Sequence, residues 1–85
     1  MDKKIYIIGE VLDNDTNERS KDYNYRIGRK CSIIHLEEGE NMLLGYVDGR
    51  VMKSSVVSEI DQTDYGFWVT TCNRTYRLDL PCFYN

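Results

Sequence analysis

The feature that most constrains this chain is its rhythm of short β-type runs, broken by turn residues roughly every 8–12 positions. No segment places apolar residues at i, i+3, i+4 and i+7 over three turns, so an amphipathic helix would have no face to bury. At most one short helical turn is expected, within 13–24. Residues 4–12 read as a strand with Ile5 and Ile7 on one face and Tyr6 and Ile8 on the other, apolar on both sides. Further strands are expected at 29–36, 42–47, 50–54, 55–62, 67–72 and 75–80. They are separated by a turn at 37–41 holding Gly39, by Asp48-Gly49, by Thr63-Asp64-Tyr65-Gly66 and by Asn73-Arg74. Pro81 lacks a ladder donor and ends the last strand.

Core logic sets the register of the final third. A four-residue turn at 63–66 places Ile60 opposite Val69. A two-residue turn at 73–74 places Val69 opposite Leu78. Ile60, Phe67, Val69, Tyr76, Leu78 and Leu80 then share one face, and Trp68, Thr70, Cys72, Thr75, Arg77 and Asp79 the other. Because two separate turns select the same apolar face, the pattern predicts an all-β fold. The expected form is a single domain over 1–85, a small SH3-like or OB-like barrel or a strongly curved antiparallel sheet. Residues 13–24 contain no aliphatic side chain and read as a long polar surface loop.

Composition narrows the function classes. The formal net charge of −3 offers no global attraction to nucleic acid or an anionic membrane. No apolar run approaches the roughly 20 residues of a membrane span, and the start of the chain is too short in apolar residues for a signal-peptide core, so a cytoplasmic location is expected. Three cysteines, Cys31, Cys72 and Cys82, fit free thiols in a reducing compartment. Seven tyrosines against two Phe and one Trp give a core of half-polar rings, which a chain this short completes most simply by pairing with another copy.

The run Gly66-Phe67-Trp68-Val69-Thr70-Thr71-Cys72-Asn73-Arg74-Thr75-Tyr76-Arg77-Leu78, preceded by Arg50-Val51-Met52-Lys53-Ser54-Ser55-Val56-Val57, resembles the ends of a loose group of short bacterial and phage proteins. These share a G-x-x-V-x-T-x-N-x-x-Y-x-L hairpin. The resemblance covers about the last third of the chain. It implies a β-rich fold and a mobile-element origin, and it carries over no site.

The residues themselves point away from catalysis. The glycines are dispersed and form no phosphate loop, nothing resembles a nucleophile elbow, and His35 is the lone imidazole, so no enzyme is expected. Cys31, His35, Cys72 and Cys82 lack the paired spacings of a structural zinc site, so neither metal nor cofactor is expected. Two constellations remain. Tyr23, Tyr25, Arg26, Arg29 and Lys30 combine cations with rings that stack on a flat ligand, with Gly28 to bend the chain. The alternative is a solvated loop in which these arginines pair with Asp13, Asp15 and Glu18. Trp68 sits on the polar face beside Arg77 and Asp79, where it is stacked on Arg77, covered by 81–84, or an interface anchor.

Three binding roles follow. The first is a protein-binding or inhibitory module forming a homodimer or higher oligomer through Tyr6 and Ile8, with Trp68 on the same surface. The second is a sequestering protein for a small anionic, nucleotide-like ligand. The third, disfavoured by the charge, is a single-strand nucleic-acid binder.

Overall fold

The computed structural model describes residues 4–21 and 24–83. Among them are six strands: β1 (Tyr6–Asp13), β2 (Lys30–His35), β3 (Asn41–Tyr46), β4 (Val51–Thr63), β5 (Gly66–Thr71) and β6 (Arg74–Asp79). Two 3₁₀ turns, Asn24–Arg26 and Pro81–Phe83, are the helical elements. Each strand pairs antiparallel with the next in sequence, and β6 returns to β1, closing the sheet into a barrel. The order is up-and-down, without the Greek-key crossover of an OB-fold. The seam is uneven: β1 and β6 share six register pairs, but β1 and β2 only Tyr6–Cys31 and Ile7–Lys30.

Closure depends on bulges, which bend a strand and increase its twist. In β1 the register shifts between Ile8 and Glu10, so that Tyr6 and Ile8 and then Val11 all point inward. Gly9 lies at the shift, where a Cβ would collide with the Asp79 carboxylate and the Arg77 guanidinium. A second device lies in β4, a single strand of 13 residues where the sequence pattern predicts separate strands at 50–54 and 55–62. Ser54 and Ser55 make a corner instead of a turn. The Ser54 hydroxyl accepts from the Met42 amide at 3.0 Å and donates to the Ser55 carbonyl at 2.6 Å, while the Asn41 amide group donates to the Ser54 carbonyl at 2.6 Å. These side chains satisfy backbone groups that the local irregularity releases. The first half of β4 therefore pairs with β3 and the second half with β5.

The interior is filled by Tyr6, Ile8, Val11, Cys31, Met42, Leu44, Met52, Val57, Val69, Tyr76 and Leu78, with Ile60, Phe67 and Leu80 packed against them. The inward face expected for β5 and β6 is thus the one observed. Its register differs by one step of two residues: Val69 opposes Tyr76, and the turn is Cys72-Asn73. Thr71 decides this, since its hydroxyl accepts from the Arg74 amide at 3.2 Å and donates to the Arg74 carbonyl at 2.8 Å. A slip of two leaves every side chain on its own face.

The stretch after β1 folds back on it. The Leu12–Arg19 bridge, the Ser20 amide donating to the Val11 carbonyl at 2.7 Å, and the Asn14 side chain donating to the Thr71 carbonyl at 2.8 Å hold it against the barrel. Ser20 is fully buried. Residues 13–21 are therefore a mostly exposed polar loop, as expected, that is docked on the barrel through these bonds. Within the described residues, no helix is long and apolar enough to cross a membrane.

Candidate functional site

Residues 24–29 turn sharply before β2. Gly28 takes a positive φ of 89°, and its amide donates to the Ile8 carbonyl at 2.7 Å. The Arg29 amide donates to the Arg26 carbonyl at 3.2 Å, and Ile8 closes the loop by donating to the Arg29 carbonyl at 3.0 Å. Two backbone bonds to Ile8 thus anchor the loop to the barrel wall, and a third, within the loop, fixes Arg29 relative to Arg26.

The β3–β4 hairpin supplies the facing wall. Its loop is Val47-Asp48-Gly49, one residue longer than the Asp48-Gly49 turn expected. The Tyr46 amide donates to the Arg50 carbonyl at 2.8 Å, Gly49 donates back to the Tyr46 carbonyl at 3.0 Å, and only Gly49 (φ 91°) takes positive φ. This is the three-residue loop that ends in a left-handed bulge residue. It sets Tyr46 and Arg50 side by side, and the Asp48 carboxylate orients Arg50 at 2.8 Å.

The two walls meet in a corner of cations and rings. The Arg26 guanidinium lies 5.4 Å from the Tyr25 ring centroid and donates to the hydroxyls of Tyr25 at 3.2 Å and Tyr46 at 3.5 Å. Arg29 lies 5.4 Å from the Tyr46 ring and 5.9 Å from the Tyr25 ring. Burial pushes the Tyr46 phenol up, against the opposing pull of Arg26 and Arg29, so it is neutral at physiological pH. Tyr25, Arg26, Arg29, Tyr46, Arg50, Val51 and Met52 line a cavity of about 190 Å³. An adjoining space of about 320 Å³, sharing Arg29 and Tyr46, is lined also by Gly28, Lys30, Val47 and Asp48. Of the three acidic partners considered for these arginines, Asp13 faces Arg74 at 3.4 Å instead. Among the described residues, no carboxylate lies within ion-pair distance of Arg29.

The structure therefore gathers three expected residues, Tyr25, Arg26 and Arg29, with Lys30 on the rim of the neighbouring space. Tyr23 lies outside the described residues. Tyr46 and Arg50 were not legible as members. The Asp48-Gly49 signal marks their hairpin, but nothing in the sequence indicates that it docks on 25–29.

The other expected sites differ. Trp68 is half-buried on the outer wall with the Arg77 guanidinium 5.8 Å from its ring, the stacked arrangement of the three considered. Arg77 is held by Asp79 at 3.0 Å and reaches the Gly9 carbonyl at 3.4 Å. Tyr6 and Ile8 are corrected: both are buried in the barrel interior, Ile8 completely, because the Gly9 shift turns this side of β1 inward. The apolar patch from which an oligomer surface was expected on these two residues is not at the surface.

Cys31 is buried and its thiol is pushed up to about 11 by burial, which leaves it protonated and inert. A register shift between Ile33 and His35 separates their faces. His35 instead meets Glu40 at 2.8 Å and Glu37 at 3.8 Å, an exposed group whose ligand atoms lie within 4.8 Å of one another and which has the donor types to take a cation. Glu37 and Glu40 share a hydrogen bond, which raises the carboxyl pKa of Glu37 and, together with His35, lowers that of Glu40.

No protein-family model, curated protein or solved structure matches the chain.

Proposed function

We propose that this barrel is a non-enzymatic binding module that takes a small anionic ligand at the Tyr25–Arg26–Arg29–Tyr46–Arg50 corner. The observation that carries this reading is the gathering of Arg26, Arg29 and Arg50 with Tyr25 and Tyr46 around one cavity, where Asp48 is the carboxylate that the described residues place beside them. Guanidinium forks match phosphate and carboxylate oxygens bidentately. The backbone anchors of Gly28 and Arg29 hold two of these groups in place before a ligand arrives, which lowers the ordering cost of binding.

Titration with inorganic phosphate at low salt, followed by amide chemical shifts, tests the site. Shifts clustered at Arg26, Arg29, Tyr46 and Arg50, and lost in Arg29→Ala, support it; shifts absent or spread over the whole barrel overturn it.

A protein-binding or inhibitory role, with the mobile-element origin that the hairpin resemblance implies, is the second reading. A broad groove of about 520 Å³ lined by Tyr6, Ile33, Leu36, Ile60 and Phe67, with Ile34 half exposed beside it, favours that reading.

A further inference from the structure

We infer that the anionic ligand is a phosphorylated small molecule bearing a planar ring, of the mononucleotide class. This rests on the anion-binding reading above and extends it from the two-compartment shape of the site. The 190 Å³ cavity is lined by Arg26, Arg29 and Arg50. The adjoining 320 Å³ space has a different lining: Gly28, Arg29, Lys30, Tyr46, Asp48 and the highly exposed Val47, so that Tyr46 and Val47 bring carbon surface to it.

Arg29 and Tyr46, stacked at 5.4 Å, belong to both compartments. A ligand seated with its phosphate among the three arginines therefore directs its remaining bulk over the Arg29–Tyr46 pair toward Val47. A flat ring matches this open space, because stacking on guanidinium and aryl faces needs no deep enclosure.

Two charges select the class further. Three guanidinium groups suit a phosphate dianion better than a single carboxylate. The Asp48 carboxylate, on the wall of the second space, accepts from Arg50 at both oxygens, and its remaining lone pairs can accept a hydrogen bond from a ring amino or imino N–H but offer nothing to another acidic group. An acidic peptide gains nothing there, whereas a nucleobase meets an acceptor.

Calorimetry with adenosine 5′-monophosphate, ribose 5-phosphate and adenosine separates the parts. Adenosine monophosphate is expected to bind about tenfold more tightly than ribose 5-phosphate, equivalent to about 1.4 kcal/mol. Adenosine is expected to bind more weakly than either. Amide shifts common to both phosphates should fall at Arg26, Arg29 and Arg50, and those confined to adenosine monophosphate at Gly28, Val47 and Asp48.

Equal affinity for the two phosphates, or ring-dependent shifts away from Val47, overturns the ring slot and leaves the anion site standing. Failure of both phosphates to bind, or adenosine binding as well as its phosphate, overturns the anion site itself. A short oligothymidylate binding more than tenfold tighter than the mononucleotide overturns the small-ligand inference in favour of a single strand.

Discussion

Two places on this barrel stack arginine on an aromatic ring, and they differ in one respect. On the outer wall, Arg77 lies over Trp68 and is neutralised by Asp79, a carboxylate only 5% exposed and held against β1 at Gly9. At the corner, Arg26 and Arg29 lie over Tyr25 and Tyr46, with Lys30 and Arg50 nearby and Asp48 committed to Arg50. The first cluster is electrostatically complete and joins three strands. The second gathers its arginines around a preformed concavity in which Asp48 is the carboxylate that the described residues supply. The same pairwise contact is thus part of the scaffold in one place and a candidate recognition element in the other, and the local charge balance separates them.

The largest loss of stability is expected from a substitution at Gly9. Gly9→Ala drives a Cβ into Asp79 and Arg77 and should destabilise the fold by about 3 kcal/mol, the upper range for overpacking, measured by urea denaturation. A loss under about 0.5 kcal/mol would show that the outer cluster is loosely held and not part of the scaffold. Asp79→Ala is expected to cost about 2 kcal/mol, because it leaves the half-buried Arg77 without its partner.

Arg29→Ala should show the opposite profile. Its stability loss is expected to stay within about 1 kcal/mol, while affinity for a phosphorylated probe falls at least tenfold. Equal stability losses for Asp79→Ala and Arg29→Ala would erase the distinction between the two regions. Val51→Glu sharpens it from the other side. Val51 is exposed and lines the corner, so a carboxylate there should leave stability within about 0.5 kcal/mol of the parent and weaken phosphate binding severalfold, read by calorimetry.

The smallest expected effect is with pH. The corner's guanidinium groups stay charged, and Tyr46, with its phenol raised above the ordinary value by burial, stays neutral up to pH 9. Affinity for a phosphate monoester such as adenosine 5′-monophosphate should therefore be flat from pH 7 to 9 and weaken as the pH falls through about 6, where the monoester itself takes up a proton. A loss of affinity between pH 7 and 9 would show that another group titrates in the site.

Much of the architecture was legible because hairpins are local. Glycine at the turns, alternation along β5 and β6 and the stop at Pro81 specify antiparallel neighbours from short stretches of chain. The inward set Val69, Tyr76 and Leu78 survived a two-residue difference in register, since such a slip conserves face. The serine pair at 54–55 was harder to read. A bulged corner and a true turn both interrupt alternation, and only the bonds from Ser54 to Met42 and Ser55 distinguish them. Of the corner, the segment holding Tyr25, Arg26 and Arg29 was visible as a cluster of cations and rings, whereas Tyr46 and Arg50 carried no mark.

The sequence alone therefore determined an all-β meander, the buried face of its last hairpin and the location of its basic segment, because these depend on residues a few positions apart. Tertiary structure alone decided that Tyr6 and Ile8 lie inside, that Trp68 is paired with Arg77, and that the β3–β4 hairpin faces residues 25–29. Those outcomes depend on barrel closure, in which the bulges of β1 through β4 add up around the ring until β6 meets β1. No short window of the chain contains that sum.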